Sequence, residues 1–85
     1  MTETREVMIK RMQMRSMRRG IKEMDLILSA YAKRNLAAMD ATSLDLYDAL
    51  LHENDQDLYQ WVTGQVQSPK AYATLIADIA QTFQK

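Results

Sequence analysis

Gly20, Gly64 and Pro69 are the only glycines and proline in 85 residues, and this scarcity of chain breakers constrains the fold more than any other feature. Hairpins and tight turns rely on residues that tolerate or preset unusual backbone angles. A sheet protein of this length would lack its punctuation, so helix is the expected state. The length allows one domain, residues 1–85, with a thin core and no deep cleft walled on every side. Without cysteine there is neither a disulfide framework nor thiolate metal ligation, and a reducing compartment fits best. No apolar run exceeds four residues, far short of the roughly 20 that cross a bilayer, so a soluble protein without membrane insertion is expected.

The periodicity divides the chain into five short helices. The first runs from about Thr4 to Met17. Arg11, Arg15, Arg18 and Lys22 recur at spacings of four, three and four as a basic stripe, with Val7, Met14 and Met17 on one side and Met8 and Met12 on the other. The second follows Gly20 and continues to about Ala38, its core stripe formed by Ile21, Met24, Ile27 or Leu28, and Tyr31. Asp40 and Thr42 are N-cap candidates for a third helix bearing Leu44, Tyr47, Leu50 and Leu51, with Asp45 completing a capping-box-like pattern. Asp55 can cap a fourth that carries Leu58, Trp61 and Val62 and ends at Gly64. Ser68 and Pro69 suit the start of a fifth, striped by Tyr72, Leu75, Ile76, Ile79 and Phe83. The fold class is therefore all-α, a compact bundle of five short helices.

Eleven basic and eleven acidic residues cancel to a formal net charge of zero, but they are segregated. Residues 1–22 hold Arg5, Lys10, Arg11, Arg15, Arg18, Arg19 and Lys22 against Glu3 and Glu6. Residues 36–60 hold Asp40, Asp45, Asp48, Glu53, Asp55 and Asp57 and no Lys or Arg. Such asymmetry reports a partner or an internal docking.

Catalysis is poorly provided for. His52 is the only histidine, and Ser16, Ser29, Ser43 and Ser68 lie at helix or cap positions. Asp48, His52 and Asp55 could supply metal ligands, but a firm site needs three or four convergent ones, so a solvated acidic face is the plainer reading and no metal is expected. Zero net charge and the lack of a recognition motif argue against nucleic acid. A helix offering mainly Met opposite its charges argues against a membrane surface. Met and Arg together suit a protein partner, Met by adapting to irregular surfaces and Arg by bidentate bonds to carboxylates. Met as core filling is the alternative, and it does not cover both sides of the helix.

The junction Arg18-Arg19-Gly20-Ile21-Lys22-Glu23 can be a helix corner, with arginines at the negative end of the first helix, Gly20 as permissive backbone and Glu23 in the first turn of the second. It can equally be a binding site, with Arg19 and Glu23 four apart as a pair. Physics alone leaves both open.

The segment Met17-Arg18-Arg19-Gly20-Ile21-Lys22-Glu23-Met24-Asp25-Leu26-Ile27-Leu28 resembles the hallmark Arg-Gly-x-x-Glu and Asp-containing helix of the FAD assembly factors of succinate dehydrogenase. Leu50-Leu51 and Asp57-Leu58-Tyr59-Gln60-Trp61 are similar to that family's second landmark. Met17 stands where many members carry an aromatic residue. The resemblance implies a five-helix assembly factor that binds the flavoprotein subunit of succinate dehydrogenase, and in some bacteria fumarate reductase, and promotes covalent FAD attachment to a histidine there. It implies a chaperone without catalytic residues, FAD being the partner's cofactor and none held stably by this chain. Arg19, Gly20 and Glu23 carry the motif, with Arg18, Asp25 and Arg15 beside it as partner-binding residues. The free protein is expected to be a monomer. An N-terminus with Glu3 and Glu6 is unlike an acidic-poor transit peptide, so the bacterial cytoplasm is the expected location. A regulatory module for an unrelated partner, antitoxin-like or cytoskeletal, and a small nucleic-acid-binding helical domain stand as alternatives.

Overall fold

The apolar stripe of the second helix forms the centre of the molecule: Met24, Ile27, Leu28 and Tyr31 are all buried. The computed structural model describes residues 3–83. In chain order its helices are α1 (Arg5–Arg15), α2 (Lys22–Asn35) with a 3₁₀ turn at Leu36–Ala38, α3 (Ala41–Leu50), α4 (Asp55–Val62), a 3₁₀ turn at Lys70–Tyr72, and α5 (Ala73–Phe83). There is no strand among the described residues. This is the expected five-helix, all-α bundle.

Every helix feeds one core. Met12 enters from α1, Leu44, Tyr47 and Leu50 from α3, Leu58 and Val62 from α4, and Leu75, Ile76 and Ile79 from α5. Burying side chains of this size stabilises the fold by about 1.5–3 kcal/mol each, so the stripes and not intrinsic propensity hold these short helices. The tilted rings of Tyr31 and Tyr47 meet inside it, centroids 5.7 Å apart. Trp61 and Tyr72, both half-buried, stack at 6.1 Å and join α4 to the turn before α5.

Several boundaries differ from the sequence expectation. Helix α1 stops at Arg15, because Ser16 turns inward and Arg18 adopts a left-handed backbone (φ 56°). The basic stripe is therefore broken, with Arg18 and Lys22 lying beyond the helix that carries Arg11 and Arg15. Asp40, and not Thr42, caps α3, its carboxylate accepting from the Ser43 amide at 2.8 Å. Asn54, and not Asp55, caps α4 by accepting from the Gln56 amide at 2.8 Å. Pro69 sits ahead of the 3₁₀ turn in extended backbone and Ser68 makes no cap, because the chain needs one tight turn before α5 can start. Gly64 ends α4 as expected, with φ 81°.

Part of the charge segregation is internal docking. The Arg11 guanidinium donates to both Asp48 carboxylate oxygens at 2.9 and 3.0 Å and to both Glu3 oxygens at 2.8 and 3.0 Å. This is the bidentate geometry that gives Arg–carboxylate pairs their specificity. Arg5 donates to the carbonyls of Ala37 and Met39, pinning α1 across the end of α2.

Candidate functional site

Residues 16–21 link α1 to α2, and the Ser16 hydroxyl, the Arg18 and Gly20 amides and the Arg19 guanidinium all have partners inside the protein. Ser16 is buried. Its Oγ donates to the Met12 carbonyl at 2.8 Å and shares a 2.6 Å hydrogen bond with the Tyr47 hydroxyl. Ser29 Oγ donates to the Ser16 carbonyl at 3.3 Å. Burial pushes the Tyr47 hydroxyl up to about 12, with the Ser16 bond opposing the shift.

At Arg18 the left-handed backbone costs a non-glycine residue roughly 1–2 kcal/mol. Asp25 supplies the compensation, its Oδ2 accepting from the Arg18 amide at 2.8 Å while its Oδ1 accepts from Ser29 Oγ at 3.2 Å. A hydrogen bond to a charged group is worth about 1.5–3 kcal/mol, enough to hold the strained residue in place. The Arg18 side chain remains exposed.

Two residues on, the chain is clamped by α4. Arg19 Nε donates to Asp55 Oδ1 at 2.7 Å, and the Gly20 amide donates to Asp55 Oδ2 at 2.7 Å. Arg19 Nη1 also donates to the carbonyls of Arg15 and Leu51 at 2.9 and 3.1 Å. The Arg19 side chain is only 10% exposed. A Cβ on Gly20 would stand 3.0 Å from Asp55 Oδ2, tighter than ordinary contacts allow.

This geometry revises the roles expected for the motif. Arg19 pairs with Asp55 and not with Glu23, because the Asp55 carboxylate at the start of α4, the Leu51 carbonyl before it and the Arg15 carbonyl at the end of α1 all face it. What singles out Gly20 is the close approach of Asp55 and not a left-handed backbone, since the glycine with a left-handed φ is Gly64. Asp25 faces the Arg18 amide. Arg15, Arg18 and Glu23 point outward, with Lys22 and Met17 exposed beside them. Glu23 borders a shallow groove of about 220 Å³ where Leu26 and Phe83 stand 63% and 46% exposed. Asp48 is engaged by Arg11 and Asp55 by the corner, and among the described residues no three His, Asp or Glu side chains gather in a metal-ligating group.

Local spacing misses three contributors: Asp55, Ser16 and Tyr47. The available signal for Asp55 is the charge map, a basic first quarter facing an acidic stretch that has no counter-charge of its own.

The fold and this corner define a small helical bundle that displays a rigid, charged loop held from behind by its own carboxylates. The chain belongs to the family described as flavinator of succinate dehydrogenase, whose model matches residues 10–83. Among curated relatives, the mitochondrial succinate dehydrogenase assembly factor 2 of Meyerozyma guilliermondii is 48% identical over 61 residues, covering 72% of this chain and 45% of that protein. That of Schizosaccharomyces pombe is 39% identical over 70 residues (82% and 50%). That of Danio rerio is 34% identical over 85 aligned positions (98% and 54%). The chain thus spans about half the length of the curated relatives it matches. These relatives are mitochondrial proteins of fungi and a fish, which overturns the expectation of a bacterial cytoplasm. That expectation rested on two acidic residues near the start, a weak signal beside 34–48% identity to these relatives. The relatives are named as assembly factors of succinate dehydrogenase and the family as its flavinator.

Proposed function

We propose that this chain is a non-catalytic assembly factor that binds the flavoprotein subunit of succinate dehydrogenase and promotes its covalent flavinylation. The observation that carries the reading is the corner itself: a strained Arg18 held open by Asp25, beside a clamped Arg19-Gly20 step, in a chain of the flavinator family. Strain maintained at an exposed loop is characteristic of functional sites. Arg15, Arg18 and Glu23 are the side chains that touch the partner, while Arg19, Gly20 and Asp25 shape the surface that presents them.

The flavin chemistry belongs to the partner, and this chain holds no FAD stably by itself. It acts as a free monomer that favours a partner conformation in which histidine and flavin are aligned, a positioning effect that lowers the barrier without supplying a reactive group. The flavoprotein subunit of fumarate reductase, built around the same task, is a second client.

The test co-expresses each flavoprotein subunit with the wild-type chain or with an Arg18→Ala/Glu23→Ala variant of confirmed helicity. Covalent flavin is read by fluorescence of the denatured subunit. The variant is expected to leave the succinate dehydrogenase subunit largely unflavinylated. Equal flavin with wild type, variant and no added chain refutes the proposal.

A further inference from the structure

The outward and inward halves of the corner are separated by a residue outside it. Asp55 opens α4, yet Asn54 does the capping, so both Asp55 oxygens are free to leave their own helix. One takes Arg19 Nε and the other the Gly20 amide, each at 2.7 Å. Two different donors fix the rotation of the carboxylate as well as its place.

The donors of Arg19 point the same way. A guanidinium has five N–H donors. At Arg19, Nε donates to Asp55, Nη1 to the carbonyls of Arg15 and Leu51, and Nη2 lies 3.5 Å from the Glu53 carbonyl. These bonds, and a side chain only 10% exposed, turn Arg19 toward the protein interior. Arg15, Arg18 and Lys22 are exposed and enter no ion pair among the described residues.

Building on the reading of the corner as the partner-facing surface, we propose that Asp55 is its positioning residue. It holds Arg19 and Gly20 against α4, thereby setting the outward display of Arg15, Arg18 and Glu23, and Arg19 acts through Asp55 without touching the partner.

The test is a double-mutant cycle of Asp55→Asn, Arg19→Ala and both together, in the full chain. In the free chain, isotope-labelled for NMR, the Gly20 amide proton is expected far downfield, as a short bond to a carboxylate requires, and to move upfield in Asp55→Asn with faster exchange. Binding to the flavoprotein subunit is then measured at a temperature where circular dichroism shows every variant fully folded. Each single variant is expected to weaken binding about tenfold, and the double variant also about tenfold, since residues in one network are not additive. A double variant weakened about a hundredfold means that Arg19 contacts the partner on its own and overturns the proposal. So does a Gly20 amide unmoved by Asp55→Asn. Failure of the wild-type chain to bind would refute the partner reading instead, while the amide shift still decides whether the clamp exists.

Discussion

Gly20→Ala isolates the clamp with a single methyl group. The new Cβ would lie 3.0 Å from Asp55 Oδ2 and 4.0 Å from Asp55 Cγ. That oxygen already accepts from the Gly20 amide at 2.7 Å, and its twin accepts from Arg19 at 2.7 Å. The carboxylate therefore cannot retreat without lengthening one bond or both. Each is a hydrogen bond to a charged group, worth about 1.5–3 kcal/mol. Against the loss, alanine narrows the unfolded ensemble by about 0.4–1 kcal/mol, a gain available because the φ of Gly20 is not left-handed. Losing most of one bond outweighs that gain and leaves a net destabilisation of about 1–2 kcal/mol. For a chain of this size the melting temperature should fall by roughly 5–15 °C. Thermal melts followed by far-ultraviolet circular dichroism measure it, with Gly64 as the control. There φ is 81° and no atom lies within 4 Å of where a methyl group would sit, so Gly64→Ala is penalised by its backbone alone. Asparagine, which tolerates left-handed backbone, should then be better than alanine at Gly64 and worse than alanine at Gly20. A Gly20→Ala protein that melts at or above the wild type would refute the clamp as the reason for this glycine.

Three further outcomes follow from the buried Ser16–Tyr47 pair and the Arg11–Asp48 ion pair. Ser16→Ala and Tyr47→Phe each strip a buried hydroxyl of its nearest side-chain partner and should cost about 1–3 kcal/mol by chemical denaturation, with the double variant costing less than the sum; strict additivity would mean the hydroxyls are not paired. Burial raises Tyr47 from 10.0 to about 12, so the neutral hydroxyl is favoured in the folded state. Stability should hold below pH 10 and decline as pH rises from there toward 12, and Tyr47→Phe should flatten the decline; stepped-pH denaturation with tyrosinate absorbance checks this. The hydrogen bonds from Arg11 hold Asp48 below its ordinary 3.8, so its contribution is present above that pH and lost as pH falls below it. Asp48→Asn should blunt that acid limb, and an unchanged acid transition would show that the pair contributes nothing.

The helices were legible because each stripe is a local pattern. Met24, Ile27, Leu28 and Tyr31 recur with the helical period and are buried as the period requires. The methionines of α1 and the link after it were legible only as a divided set: Met12 is fully buried, whereas Met14 and Met17 stand 72% and 49% exposed. The corner's wiring was not legible. A pattern reader looks three or four residues ahead of Arg19 and finds Glu23, but the bond that forms reaches Asp55, across α2 and α3. Asn54 and Asp55 are both competent caps, and nothing local says which one will be drawn elsewhere. Gly20 is the residue that reads as permissive backbone, yet the left-handed conformation lies at Arg18, where Asp25 stabilises it through tertiary contact.

The long reach of the clamp also orders events during synthesis. A growing chain acquires its basic first helix and the whole Arg-Gly-x-x-Glu segment well before Asp48 and Asp55 exist. Until α4 has been made and docked, Arg19 lacks the Asp55 carboxylate and Gly20 the oxygen its amide bonds in the folded chain. A truncated or half-folded product can therefore contain every residue of the motif and still lack the surface. A contact that can form only after α4 has been made thus completes a corner written in the first quarter of the chain.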